Sequence, residues 1–303
     1  MGLGSGAQAD LGAPPCVPPD FAPRPPGLVL PARACDSHAH VLGPRTRYPF
    51  STQRVYTPAD CVADAYQHML ATCGIERAVL VQPSVYGDDN ALLVDTLMTD
   101  SLRLRGVAVI SAAVTDVELE RLHAAGVRGA RVNLVDRRSR EARLPMMELS
   151  ALAARIAPLG WHLELLVHVD EIADQLAELG SLAVPIVFGH FGYLSHGRGA
   201  DNPGFRALLA LARSGRAWVK MTGPYRLSAQ ALPYAACDEL AAALREVALD
   251  RLVWGSDWPH VMLRGAMPND ADLVDLLTRW LPDPDERRRV LVDNPQALYD
   301  FPA

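Results

Sequence analysis

Two histidines lie one residue apart in Asp36-Ser37-His38-Ala39-His40. On extended backbone, residues i and i+2 project to the same side. The imidazoles of His38 and His40 therefore converge, where they can bind a metal ion or polarise a carbonyl. A His-x-His pair can also be structural. A third histidine stands in Gly189-His190-Phe191-Gly192, closing an apolar run. His190 either projects from the end of that run or is a core histidine bonded to backbone. Far along the chain, Gly255-Ser256-Asp257-Trp258-Pro259-His260 offers a carboxylate. Asp257 can serve as a metal ligand or a general base. The alternative is a helix N-cap, because Pro259 follows.

These groups need a scaffold that brings residue 38 beside residue 257. Eight short apolar runs are strand candidates: Ala34–His38, Arg77–Gln82, Gly106–Ser111, Gly129–Asn133, His162–Val167, Pro185–Gly189, Trp218–Met221 and Leu252–Gly255. Runs that are apolar at nearly every position fit strands covered on both faces, as in a parallel sheet. Helical signals alternate with them. Thr57-Pro58-Ala59-Asp60 reads as a helix start, with Gly74 as its stop. Asp116 opens 117–125, closed by Gly126, and Asp170 opens 171–179, closed by Gly180. Segments 146–158, 204–213, 235–246, 271–280 and 284–291 complete the series. The alternation predicts an α/β fold, a single (β/α)8 TIM barrel spanning 33–303. An open doubly wound sheet is the competing architecture, but no Gly-x-Gly-x-x-Gly turn follows the first strand. In a barrel, strands 1 and 8 are neighbours, and reactive groups sit at the C-terminal strand ends. His38, His40, His190 and Asp257 all fall there.

The bulk properties agree. The 303 residues suit one barrel of ~250 residues plus an extension. Residues 1–32 are rich in Gly, Ala and Pro and read as a flexible or extended arm. Hydrophobic residues make up 50% of the chain, enough for a large core. The net charge of −6 and the lack of a basic block argue against nucleic acid as a partner. Five irregularly spaced cysteines suggest a reducing compartment rather than a disulfide framework. Residues 1–10 lack signal-peptide features, and no apolar run reaches the ~18–20 residues of a membrane span. A cytoplasmic enzyme without membrane partners is expected, with a homo-oligomer left open.

The combination of His-x-His on strand 1, His on strand 6 and Asp on strand 8 resembles the amidohydrolase superfamily. It is closer to the branch containing 2-pyrone-4,6-dicarboxylate lactonase and sugar lactonases. Supporting stretches are Val81-Gln82-Pro83-Ser84, residues 126–133, Gly160-Trp161-His162, Gly189–Gly192, Val253–His260 and Asn294–Tyr299. The resemblance implies hydrolysis of a small carboxylated lactone, either pyrone-dicarboxylate-like or a sugar-acid lactone. It implies no required metal. Asp257 would activate water, while His38, His40 and His190 polarise the carbonyl. It also implies substrate contacts from Arg131, Arg137, Arg226, Ser84, Tyr56 and His260. Arginine suits carboxylates through paired hydrogen bonds.

Two departures stand out. Tyr193 occupies a place where the dicarboxylate lactonase has Arg. Strand 5 ends Leu165-Leu166-Val167-His168 where that enzyme carries a substrate-binding Tyr. The first departure removes one carboxylate partner. The second raises a metal alternative, because metal-dependent relatives place a ligand His at the end of strand 5. If His168 points inward, His38, His40, His168 and Asp257 could hold one divalent ion, Zn²⁺ by preference. No Lys ends strand 4, which disfavours a carbamylated binuclear site. The competing readings are a metal-dependent hydrolase or decarboxylase, a lactone isomerase, which Asp257 argues against, and a non-catalytic barrel.

Overall fold

The structure is a computed structural model and describes residues 13–135 and 143–302. Eight parallel strands form one sheet in the order of the chain: β1 (Cys35–Ala39), β2 (Arg77–Val81), β3 (Leu104–Ala108), β4 (Val127–Asn133), β5 (His162–Leu166), β6 (Ile186–Phe188), β7 (Ala217–Met221) and β8 (Leu252–Trp254). Every expected run is found. Beyond β8 the chain closes the barrel on β1. His40 N donates to Trp258 O at 2.7 Å, and Asp257 N donates to His38 O at 2.8 Å. This (β/α)8 closure is what places the His-x-His beside Asp257.

The close approach along that seam depends on Gly255. A methyl group there would lie 2.6 Å from the His38 backbone nitrogen. Asp36 stitches the seam from the other side. Its carboxylate accepts from the backbone N–H of His38 and Ser256 and from the hydroxyls of Ser256 and Tyr66.

Alternation along the strands sorts side chains to two faces. Cys35, Val79, Val107, Val187, Trp218 and Val253 form one small cluster with Tyr299 at the end of the C-terminal helix and Phe301 just beyond it. The intervening residues, such as Leu80, Leu163, Phe188 and Met221, join the larger core against the helices. Among the described residues, no helix is long and apolar enough to cross a membrane. All five cysteines are free.

The helices depart from expectation in three places. The first, α1, spans Ala63–Cys73, and its N-cap is Val62 rather than Thr57. Thr57 is occupied elsewhere. Its backbone pairs with Pro14 and Cys16, and its hydroxyl donates to Ala13 O at 2.7 Å. Helix α2 (Ala91–Leu97) was not anticipated. Asn90 precedes it but gives no capping bond, since its amide bonds Val109 in the next loop. The expected helix 171–179 reduces to a single 3₁₀ turn and a short α segment, Leu176–Leu179.

Residues 13–32 run as extended chain along the outside of the barrel. Arg24 pairs with Asp272 at 2.7 Å, and the N–H groups of Gly27 and Leu28 donate to the Asp275 carboxylate. Nearer the mouth, Met262 N donates to Cys16 Sγ.

Candidate functional site

The C-terminal strand ends surround a cavity of about 590 Å³, within the usual range for a small-molecule site. His40, His190 and Asp257 line its floor, with Arg131, Tyr56 and Ser84 around them. His38 lies just below, and its ring centroid is 5.1 Å from His40 and 5.2 Å from His190. The expected quartet of three histidines and one aspartate is therefore assembled from β1, β6 and β8.

Asp257 follows β8 on left-handed backbone (φ 65°). No helix starts there, so the N-cap alternative fails; the next helix begins at Asp270. Its two carboxylate oxygens have different surroundings. Oδ2 accepts from Tyr225 Oη and from Arg226 Nε, both at 2.7 Å. Oδ1 is buried without a hydrogen-bond partner. It faces His38 Nε2 at 3.6 Å and His40 Nε2 at 4.0 Å. Burial alone would push the Asp257 carboxyl up. The Arg226 charge and the neighbouring histidines outweigh it and hold the group well below the usual carboxylate range. Asp257 is thus an anion with one oxygen anchored and the other pointed at the cavity floor.

Gly223 makes this packing possible. It adopts φ +55°, and a methyl group on it would lie 2.9 Å from both Asp257 Oδ2 and His190 Nδ1. The turn it begins carries Tyr225 and Arg226 (Pro224–Arg226).

The three histidines are held from behind by different partners. His40 Nδ1 contacts Val81 O at 2.7 Å. A carbonyl only accepts, so Nδ1 carries the proton and Nε2 presents a lone pair. His190 Nδ1 meets the Thr222 hydroxyl at 2.7 Å. His38 Nδ1 lies 3.2 Å from Lys220 Nζ and 3.5 Å from Glu164 Oε1. Desolvation holds both His40 and His190 down at about 3. Burial, followed by the Lys220 charge, holds His38 well below its ordinary value. All three rings are neutral near pH 7, so each offers one N–H and one lone pair.

Arg131, two residues before the end of β4, lines the cavity. Its Nη1 donates to Gln82 O at 3.0 Å, and its Nε is buried without a partner. Tyr56 and Ser84 also line the cavity. Arg226 lines it as well, but its Nε is committed to Asp257 and an Nη to Val261 O at 3.0 Å. Its position makes it a partner of Asp257 as well as a cavity wall. Arg137 lies outside the described residues.

His260 does not reach the cavity. It is fully buried behind Tyr225, with Nδ1 2.9 Å from the Tyr225 hydroxyl and Nε2 3.2 Å from Asp270 Oδ1. The expected substrate contact at His260 is corrected to a support role, because its left-handed backbone (φ 60°) turns the ring away.

A divalent ion fits part of the set expected for it. Ligand atoms of His38, His40 and Asp257 all lie within 4.8 Å of one another. The 3.6 and 4.0 Å separations can be spanned by two bonds of ~2.0–2.1 Å. His168 does not join them. Its Nδ1 bonds Tyr193 O at 2.6 Å, and its ring stacks on Tyr193 at 4.6 Å.

Several supporting groups were not singled out in the sequence: Tyr225, Thr222, Lys220, Glu164 and Asp270. Two of them left a signal. Glu164 and Lys220 each interrupt an otherwise apolar strand, and both are buried. Charges are almost never fully buried without a partner, so a pair of them in buried strands points to a built polar site. Tyr225, Thr222 and Asp270 carry no comparable mark.

With this geometry in place, comparison with known proteins is informative. The family model described as Amidohydrolase matches residues 35–301. A 4-sulfomuconolactone hydrolase from Hydrogenophaga intermedia is 34% identical over 294 residues, covering 96% of this chain and 97% of its own. A 2-pyrone-4,6-dicarboxylate hydrolase from Comamonas testosteroni is 35% identical over 286 residues, covering 91% and 93%. A crystal structure from Pseudomonas putida, named as a 2-pyrone-4,6-dicarboxylic acid hydrolase, superposes with a TM-score of 0.79 at 33% identity, covering 90% of this chain and 100% of that one. The full-barrel family match, carried by relatives aligned over nearly their whole length, means that this chain belongs to the amidohydrolase superfamily, in its lactonase-like family.

Proposed function

We propose that the protein hydrolyses a small lactone bearing an acid group. The observation that carries this reading is the asymmetry of Asp257. One oxygen is fixed by Tyr225 and Arg226, and the other is unpartnered at the floor of a cavity. A carboxylate held ionised and aimed at bound water is what a general base requires. The relatives named as hydrolases of 4-sulfomuconolactone and of pyrone dicarboxylate supply the substrate class.

In this mechanism water sits between Asp257 Oδ1 and the lone pair on His40 Nε2. Asp257 takes a proton from it, and the oxygen attacks the lactone carbonyl. Negative charge develops on the carbonyl oxygen, where ring N–H groups of His38 and His190 stabilise it. The ring C–O bond then breaks, and Asp257 returns its proton to the leaving oxygen. The products are a hydroxyl, or its keto form where the ring oxygen was enolic, and a carboxylate. His40 differs here from the common carbonyl-polarising role expected from the sequence, because its proton is spent on Val81 O. Arg131, with a buried N–H unpaired, meets the substrate's acid group.

A second reading, metal-assisted hydrolysis, is favoured by the convergence of His38, His40 and Asp257. An ion held there would polarise the carbonyl and acidify bound water.

Both readings are tested by one assay. Purified protein is offered 4-sulfomuconolactone, 2-pyrone-4,6-dicarboxylate and aldonolactones, with acid release followed with and without chelator. Turnover of an acid-bearing lactone that survives chelation is expected. Chelator-sensitive turnover supports the second reading, and no turnover of any lactone removes both.

A further inference from the structure

Beneath the floor of the site lies a buried ion pair that the proposed reaction does not use. Lys220 on β7 and Glu164 on β5 are 0% and 2% exposed, and Nζ is 2.7 Å from Oε2. Both point into the barrel interior. Lys220 Nζ also donates to Ser37 O at 2.8 Å and stands 3.2 Å from His38 Nδ1. An ammonium group has three N–H donors and no acceptor. Three groups surround it: the Glu164 carboxylate as ion-pair partner, the Ser37 carbonyl and the His38 ring nitrogen.

We infer that Lys220 is a positioning residue that fixes His38 as the Nε2–H tautomer, so that the two histidines of the His-x-His pair present opposite faces to the cavity. This rests on the proposed lactone hydrolysis only for its purpose, not for its geometry. His40 gives its Nδ1 proton to Val81 O and turns a lone pair toward Asp257. His38 accepts at Nδ1 from Lys220 and turns an N–H toward Asp257 and the space above it. Spacing alone makes the pair look equivalent. The groups behind it make one an acceptor for water and the other a donor for the oxyanion.

The same hydrogen bond bears on metal binding. A histidine ligates through a lone pair. With its Nε2 protonated, His38 cannot serve, and the potential ligand set falls to His40 and Asp257. Ligation by His38 needs the other tautomer, with Nδ1–H donated to Glu164 Oε1, at 3.5 Å. Lys220 competes for that nitrogen. The choice between the two catalytic readings is thereby set under the site rather than in it.

The test needs no substrate. The full chain is labelled with ¹⁵N-histidine, and long-range ¹H–¹⁵N correlations report which ring nitrogen of each histidine is protonated, with His38→Gln and His40→Gln giving the assignments. His38 should show a bare Nδ1 and a protonated Nε2, with His40 showing the reverse. A protonated Nδ1 on His38 would overturn the inference. A double variant, Lys220→Met with Glu164→Leu, then removes the device. Replacing both members of a buried ion pair by apolar groups is tolerated far better than removing one, and it leaves no protonated Glu164 to stand in as donor. The variant should lose the fixed Nε2–H pattern at His38. An unchanged His38 tautomer in this variant would sink the proposal. Failure of the lactone assay with the wild-type pattern intact would overturn the lactonase reading and leave this one standing.

Discussion

Asp36 and Asp257 are both fully buried carboxylates on the seam where strands 1 and 8 meet, yet the fold treats them in opposite ways. Asp36 sits on the side of the seam toward α1, surrounded by neutral donors from Ser256, Tyr66 and the backbone. Desolvation outweighs those bonds and pushes it up to about 6. Asp257 sits at the mouth with Arg226 bonded to it and is held low. Burial is common to both; the largest difference is the Arg226 guanidinium. Hydrogen bonds from hydroxyls hold the Asp36 carboxyl in place without offsetting its desolvation, whereas the charge beside Asp257 more than offsets it. The seam thus contains two buried acids whose pKa values are shifted in opposite directions, each by its neighbours.

The sharpest way to break this contrast is to neutralise each acid in turn. Asp257→Asn should lower kcat for the lactone by about 10³-fold or more, near the upper range for a general base. The fold should survive, since the amide still fills the space beside Tyr225. Steady-state kinetics and a thermal melt check both halves. Turnover near wild type in this variant would leave Asp257 no role as base.

Arg226→Gln sharpens the comparison by making Asp257 more like Asp36. With the guanidinium gone, desolvation acts on Asp257 unopposed. Its pKa rises, so the acid limb of the kcat/KM profile should move to higher pH. Breaking a buried pair by removing one partner also costs about 3–5 kcal/mol, read from a denaturant titration. An acid limb that stays in place would mean that Arg226 does not set the ionisation of Asp257.

How far the sequence reveals this contrast depends on distance along the chain. The eight strands were visible because each is a short, nearly continuous apolar run, and apolar continuity is local. The quartet of His38, His40, His190 and Asp257 followed once strand ends were lined up at one barrel mouth. Long-range hydrogen bonds were not visible. Thr57 has the local look of a helix cap, but pairing with Pro14 and Cys16 takes it for the arm. His260 sits three residues after Asp257, and only its left-handed backbone sends it behind Tyr225. Arg226 looks like any arginine at a strand end. Its bond to Asp257 crosses 31 residues and exists only because Gly223 lets the two turns meet. Spacing reports which face a side chain starts on, while the partner behind it decides its chemistry.

Asp36→Asn is the gentlest of the three changes and tests the structural half of the contrast. A folded pKa of about 6 against the ordinary 3.8 means that folding takes up a proton between those values. For a carboxyl raised in this way, the native state binds more protons than the unfolded chain, and stability falls as pH rises through the window. The loss from this one group amounts to about 3 kcal/mol by pH 7. The protonated acid donates from one oxygen and accepts at the other, and asparagine reproduces that pattern. At Oδ1 it can still accept from the N–H groups of His38 and Ser256. At the other position its amide donates to the hydroxyl oxygen of Tyr66 or Ser256, which can rotate to accept. The variant should therefore match or exceed wild-type stability at pH 7, retain turnover, and lose the decline between pH 4 and 7 that wild type shows. Denaturant melts across that range measure it directly. A variant destabilised at pH 7 with the slope intact would show that the fold does not raise the Asp36 pKa, and the two acids of the seam would then differ in position but not in the direction in which burial shifts them.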